Sequence, residues 1–185
     1  MGNNALPEFK NANVGDYVKF GRYPQRSEGE VRPVEWRVLA IENNKAFVIS
    51  RYGLDAMRFD SESNDWSESE IRKWLNGEFY NSAFSGDEKA RIISFNLDDV
   101  FLLSREESEK YFANNDARRC KPTAYAKAKG AWKIDDYCWW WLRSPYPNFS
   151  KFVYSVNFGG VIDDNFLVNN TSLCTRPALW INLES

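Results

Sequence analysis

Two tryptophan-rich anchors constrain this chain more than any other feature. Trp139-Trp140-Trp141-Leu142-Arg143-Ser144-Pro145 and Arg176-Pro177-Ala178-Leu179-Trp180-Ile181 are short apolar runs, which read as buried strands rather than helices. Alternation along a strand puts Trp139 and Trp141 on one face and Trp140 on the other. A carbohydrate platform made by the triplet would still leave one face as core, so a strand covered on both faces is expected. Between the anchors, residues 146–175 draw on a restricted alphabet of Asn, Phe, Tyr, Ser, Val, Asp and Gly. Glu, Gln, Met, Trp and Lys make up 36 of the 185 residues, so about six would fall in thirty by proportion, and only Lys151 does. Something besides the fold sets the content of that segment.

The rest of the chain reads as strands, then helices, then strands, which points to α+β rather than a doubly wound sheet. Residues 16–20 alternate as a strand. Residues 34–42 and 45–50 flank Asn43-Asn44, and Asn tolerates the positive φ of a tight two-residue hairpin turn. The clearest helix starts at a capping-box pattern, Ser67 with Glu70, and continues through Ile71, Trp74, Leu75 and Phe79 at helical spacing. Residues 87–93 read as a short helix and 100–103 as a buried strand. A second capping box, Ser104 with Glu107, opens a helix to Phe112. Residues 123–129 are helical and stop at Gly130. Strands are expected at 137–142, as a central strand, then at 152–158, at Val161 or 167–168, and at 178–183. Gly159-Gly160 and Asp163-Asp164-Asn165 read as turns.

The length favours one domain, residues 14–185, preceded by a polar segment, 1–13. A net charge of -2 with interspersed signs gives no support for nucleic-acid or anionic-membrane binding. No apolar run approaches the roughly 18 residues of a spanning helix, so no membrane insertion is expected. The polar start has no secretory apolar core, which leaves a cytosolic chain or one whose leader has been removed. Aromatic residues make up 16%, an excess that goes to core, binding surface or both. The chain has no histidine, which excludes Ser-His-Asp and Cys-His catalysis within it and removes the commonest metal ligand. Cys120, Cys138 and Cys174 form no Cys-x-x-Cys pair and read as small buried thiols, with one disulfide open if the protein is exported.

The remaining polar constellations have plain readings. Asp163-Asp164-Asn165 offers oxygens to a hard cation but lacks further ligands at loop spacing, so it reads as a polar turn. Asp98 and Asp99, adjacent in a strand, would point to opposite faces and not work as an acid–base pair. Arg143 and Arg176, set inside the anchors, read as holding carboxylates or stacking on tryptophans. No motif argues for an enzyme, and no cofactor or metal is expected.

Four segments together resemble a bacterial domain family: Trp36 to Leu39, Trp66 to Asn76 with Ser69, Trp140 to Pro145, and Thr175 to Ile181. In that family these read Trp-Arg-Val-Leu, Trp-x-x-Ser-x-Ile-Arg-x-Trp-Leu-Asn, Trp-Trp-Leu-Arg-Ser-Pro and Val-Arg-Pro-Ala-Leu-Trp-Ile. The likeness runs from about Val14 to Leu183. Cys174-Thr175 stands where Gly-Val is usual. The family is similar to the C-type-lectin-type fold of formylglycine-generating enzymes and of the variable proteins of diversity-generating retroelements. The resemblance implies small antiparallel sheets flanked by helices, with long C-terminal loops.

For the variable proteins it also implies adenine-directed mutagenesis of Asn codons. Changes at their first two bases never reach Lys, Glu, Gln, Met or Trp, the five types depleted here, and Lys151 would be a non-diversified position. The enzymes of that fold bind copper through paired cysteines, whose spacing Cys120, Cys138 and Cys174 do not reproduce. The expectation is a non-catalytic ligand-binding protein, displayed on a cell or phage surface, that recognises a protein or glycan. Its face would comprise Tyr146, Asn148, Phe149, Tyr154, Asn157, Phe158, Asp163, Asp164, Asn165, Phe166 and Asn169, aromatics giving contact area and amides giving adaptable hydrogen bonds. The alternatives are a cysteine- or metal-dependent enzyme on the same fold and a structural module of a surface protein.

Overall fold

The computed structural model describes Phe9, residues 11–162 and residues 164–184, with Asp164 described by its backbone alone. Most of segment 1–13, and Asp163, lie outside the described residues. The remainder is α+β, built on two five-stranded sheets. The first holds β1 (Tyr17–Pro24), β2 (Val31–Glu42), β3 (Lys45–Ser50), β12 (Ala178–Asn182) and β5 (Ile92–Ile93), in the order β1-β2-β3-β12-β5, with every pair antiparallel. The β2–β3 hairpin turns at the expected place. Glu42 faces Lys45, and Asn43 and Asn44 take φ of 48° and 61°.

The second sheet runs β10-β9-β8-β11-β4, from β4 (Asp55–Ala56), β8 (Trp140–Pro145), β9 (Phe152–Val156), β10 (Asp164–Leu167) and β11 (Cys174–Thr175). Its pairs are antiparallel except β8 with β11, which run parallel through Cys174 and Trp140. A separate two-stranded ribbon joins β6 (Lys133–Ile134) to β7 (Tyr137–Cys138). The two tryptophan anchors therefore stand in different sheets, the first as the middle strand β8 and the second as β12. The segment between them is less loop-like than expected. It contains the β9–β10 hairpin, and Asp164 and Asn165, read from sequence as a turn, begin a strand instead.

The triplet is core on both faces. Trp139 and Trp141 pack in one hydrophobic cluster with Trp36, Phe59 and Leu75, while Trp140 packs in another with Phe112, Cys138 and Val156. Trp36, Trp140 and Trp141 are fully buried. Removing about 200 Å² of indole from water contributes about 5 kcal/mol each, before chain entropy is set against it. Each of these indole N–H groups donates to a backbone carbonyl, Trp36 to Phe20 at 2.6 Å, Trp140 to Arg118 at 3.2 Å and Trp141 to Met57 at 2.9 Å. Burial thus leaves no orphaned donor on them.

The helices are short. After a 3₁₀ turn, Trp66–Glu68, α1 (Glu70–Trp74) passes through a π-helical turn, Leu75–Phe79, into α2 (Tyr80–Ala83). The expected Ser67–Glu70 capping box does not form. Ser69 caps α1 by accepting from the Arg72 N–H, and Asp65 takes the Ser67 N–H. Then come α3 (Gly86–Lys89), α4 (Arg105–Tyr111), α5 (Asn115–Arg118) and α6 (Ala124–Ala128). Of the expected segment 87–93, only its start is helical, and its end becomes β5. The Ser104–Glu107 capping box is present at α4, and Thr123 caps α6. Among the described residues no helix is long and apolar enough to cross a membrane.

The motif helix is organised by Asp98. Its carboxylate accepts from Trp66 Nε1 at 2.9 Å and from Arg72 Nε at 2.6 Å. Asn76 donates to the Val100 carbonyl at 2.9 Å and accepts from the Asp99 and Val100 N–H groups. Asp98 and Asp99 sit after a tight turn rather than within a strand. Asn96 and Leu97 take φ of 50° and 71°, and Phe95 pairs with Asp98 across the turn. Residues 100–103 are buried as expected but form no named strand, meeting β12 through a bridge from Phe101 to Ala178 and β8 through the Arg143 N–H, which donates to the Leu103 carbonyl.

Candidate functional site

The chemistry-bearing residues of the anchors are engaged in the fold. Arg143 grips Glu107 with two nitrogens at 2.6 and 2.8 Å and lies over the Phe101 ring. Arg176 is buried, donates to the Ser50 and Arg118 carbonyls, and stacks on Trp140 at 4.8 Å. Cys120, Cys138 and Cys174 are free, buried thiols gathered round Gly53, where an added Cβ would lie 2.7 Å from the Cys174 sulfur. Burial pushes the Cys120 and Cys138 thiols well up from their usual range, which disfavours the thiolate a nucleophile or metal ligand needs. Among the described residues, no three His, Cys, Asp or Glu side chains are arranged to hold a metal ion.

The β9–β10 hairpin sorts the expected surface residues onto two faces. In its register Tyr154 stands opposite Asn165, and Phe152 opposite Leu167. These four share a face, with Tyr146 and Phe149 beside them. Tyr146 lies 5.0 Å from Tyr154 and 6.0 Å from Phe149, whose ring is 6.0 Å from Phe152. Phe149 is 56% exposed and Leu167 45%, and Asn148 and Asn165 are exposed with them. Tyr154 lies below this face, buried, its hydroxyl accepting from Arg105 at 2.9 Å and its ring covered by that guanidinium. It shapes the surface from beneath.

The loop carrying Tyr146 and Phe149 is held from outside the segment. The Asn64 amide donates to the carbonyls of Phe149 at 3.0 Å and Phe152 at 2.9 Å, and its backbone N–H donates to Ser150. Asn148 takes φ of 64°, a conformation Asn accepts more readily than most residues. Lys151, the exception to the restricted alphabet, makes an exposed ion pair with Glu62.

The opposite face holds Phe158 and Phe166, which close on Trp139 at 4.9 and 6.5 Å. Trp132, which sequence reasoning passed over, stacks on the same indole at 4.4 Å with an interplanar angle of 6°. Asn157 turns inward to make the hairpin bend, its side-chain oxygen accepting from the Gly159 and Val161 N–H groups. Gly160 follows with φ +82°, where a Cβ would fall 1.8 Å from the Asn115 carbonyl oxygen, and Arg118 donates to its carbonyl. Asn169 is exposed in the turn after β10. Of the two remaining residues, Asp163 lies outside the described residues, and Asp164 is described as a backbone partner of Ser155.

The structure thus gathers Tyr146, Asn148, Phe149 and Asn165, adds Phe152 and Leu167, and separates them from Phe158 and Phe166. Asn64 carries no sequence signal. Trp132 carries a faint one, a lone indole in a polar stretch.

The chain belongs to the family described as Domain of unknown function (DUF6273), whose model matches residues 43–183. That span leaves out β1 and all of β2, although both strands hydrogen-bond into the sheet that holds β12. No curated protein and no solved structure matches the chain.

Proposed function

We propose that this chain is a non-catalytic ligand-binding domain of C-type-lectin type, with its recognition surface on segment 146–175. One observation carries the reading. Phe149, Leu167, Asn148 and Asn165 form an exposed face of rings and amides on a hairpin whose supports, Asn64, Arg105 and Tyr154, are fixed by hydrogen bonds. Aromatic contact area on a rigid base, rimmed by adaptable amides, is the composition of antibody-like binding surfaces. The target is a protein or glycan, met by shape and hydrogen bonding without a cofactor.

The restricted alphabet supports a further part of the same reading, that the segment is diversified by a retroelement. The test is genomic. A near-identical template repeat, differing mainly at adenines, is expected beside a reverse-transcriptase gene. The differences should fall on Asn148, Phe149, Asn165, Leu167 and Asn169. They should spare Gly160, which has no room for a side chain, and Asn157 and Tyr154, which make the bend and the base. A segment present once in its genome sinks the diversification, and changes scattered over buried and exposed positions alike sink the assignment of the face.

A further inference from the structure

Trp132 is an indole with one side built and one side open. Its inner face lies on Trp139 at 4.4 Å and 6° from parallel, and Trp139 is itself wedged by Phe158 at 4.9 Å and only 5% exposed. Trp132 remains 49% exposed. Stacking leaves the outer plane of the indole facing water. The stack fixes that plane in advance, so a flat ligand orders little on binding.

The rim has a definite chemistry. The Trp132 backbone N–H donates to the Ser172 carbonyl at 2.8 Å, and the Ser172 N–H donates to the Asn170 side chain at 2.8 Å, which brings the loop 169–172 beside Trp132. That loop reads Asn-Asn-Thr-Ser, with Asn169 and Thr171 exposed, a set of uncharged amide and hydroxyl groups that both donate and accept. Among the described residues the Trp132 indole N–H has no partner, which adds a donor at the platform edge. An open π face also attracts cations. Here Lys127, Lys129 and Lys133 are exposed on the flanking chain against the carboxylate of Asp135, and Asp136 is paired with Lys121 at 2.9 Å, so an ammonium would meet net like charge. A flat apolar face beside neutral donors and acceptors matches a ring that is apolar on its C–H face and hydroxylated around its edge.

We propose that Trp132 and the loop 169–172 form a subsite for a neutral pyranose ring of a glycan. It rests on the ligand-binding reading for the role of that loop, but it lies on the face of the hairpin opposite Phe149 and Leu167. The test is affinity electrophoresis of the full chain through gels containing neutral polysaccharides of glucose, galactose, mannose and N-acetylglucosamine. Tryptophan fluorescence is titrated in parallel with the matching oligosaccharides and with choline.

The wild-type chain is expected to be retarded by at least one polymer. Trp132→Ala should weaken that binding at least tenfold, Trp132→Phe should keep much of it, and Leu97→Ala, at an exposed side chain on neither face, should leave it unchanged. Thermal melts of each variant separate loss of binding from loss of fold, and Trp132→Phe reports on the platform even where Trp132→Ala is unstable. Absence of retardation in every gel overturns the proposal, as does equal binding by folded Trp132→Ala, or a fluorescence response to choline and not to sugars. Sugar binding lost in Phe149→Asp but kept in Trp132→Ala would move the site to the other face and preserve the ligand-binding reading. Wild-type capture of a protein target with no sugar binding would likewise sink this subsite alone.

Discussion

The Asp98 node and the Phe149–Leu167 face use similar residues to opposite ends. At the node, a carboxylate, a guanidinium, an indole and an amide close on one another, and each polar group has a partner inside the fold. On the hairpin face, rings and amides stand open, and the closed groups lie underneath, in Asn64, Arg105 and Tyr154. A buried polar group must be satisfied at the moment of folding, so the node fixes one arrangement of the helix against residues 98–100. An exposed amide is satisfied by water until something better arrives. The difference separates residues that specify the fold from residues free to specify a ligand.

The comparison is broken most severely at the node. Asp98→Ala leaves the half-buried Trp66 N–H and the Arg72 guanidinium without their Asp98 acceptor, and it should cost about 3 kcal/mol in urea denaturation. A loss below about 1 kcal/mol would mean that the node is not what holds the helix.

A smaller effect is expected at Asp55, a buried carboxylate that receives the Tyr23 hydroxyl at 2.7 Å but has no ion-pair partner among the described residues. Burial pushes its carboxyl above the usual aspartate range, against the lowering effect of the Tyr23 and Ala56 hydrogen bonds. A pKa raised in the folded state means that the folded chain holds the proton more tightly. The contribution is therefore fully present below the ordinary value of 3.8 and is lost as pH rises through the raised one. Asp55→Asn should flatten that part of the urea-midpoint profile while leaving the node untouched. A profile unchanged by the substitution would remove Asp55 as its source.

The smallest effect on stability belongs to the face. Phe149→Asp with Leu167→Asp should change unfolding free energy by less than about 0.5 kcal/mol each. The same pair should abolish capture of the target. A large loss of stability would mark these side chains as core instead.

Local rules carried much of the fold. Asn43-Asn44 announced its hairpin because few residues take two successive positive φ values, and Ser104 with Glu107 announced α4 because both ends of the box are side chains. Where two neighbours compete for one role, sequence alone misplaced it. Ser67 and Ser69 both suit a cap, and the choice fell to Ser69 because Asp65, further back, captures the Ser67 N–H. The turn at Asn96-Leu97 was hidden because leucine rarely takes positive φ. The candidate face was legible as composition but not as two sides, since sidedness depends on the β9–β10 register and on a bend made by the Asn157 side chain. Trp132 stayed hidden because its partner lies across the β6–β7 ribbon.

The parallel pairing of β11 with β8 has a consequence of its own. The segment turns back at the end of β8 into β9 and β10 of the same sheet and returns on the other side of β8, beside Trp140. Its return is set about 5 Å from Trp140, at the start of β8, while its departure lies a strand's length away at Pro145. That confines exchange to the connections around β9 and β10, which are themselves two of the sheet's five strands. A connection of different length can be seated without moving these strands, provided it offers carbonyls to Asn64 and Arg118 and a side-chain-free residue against Asn115.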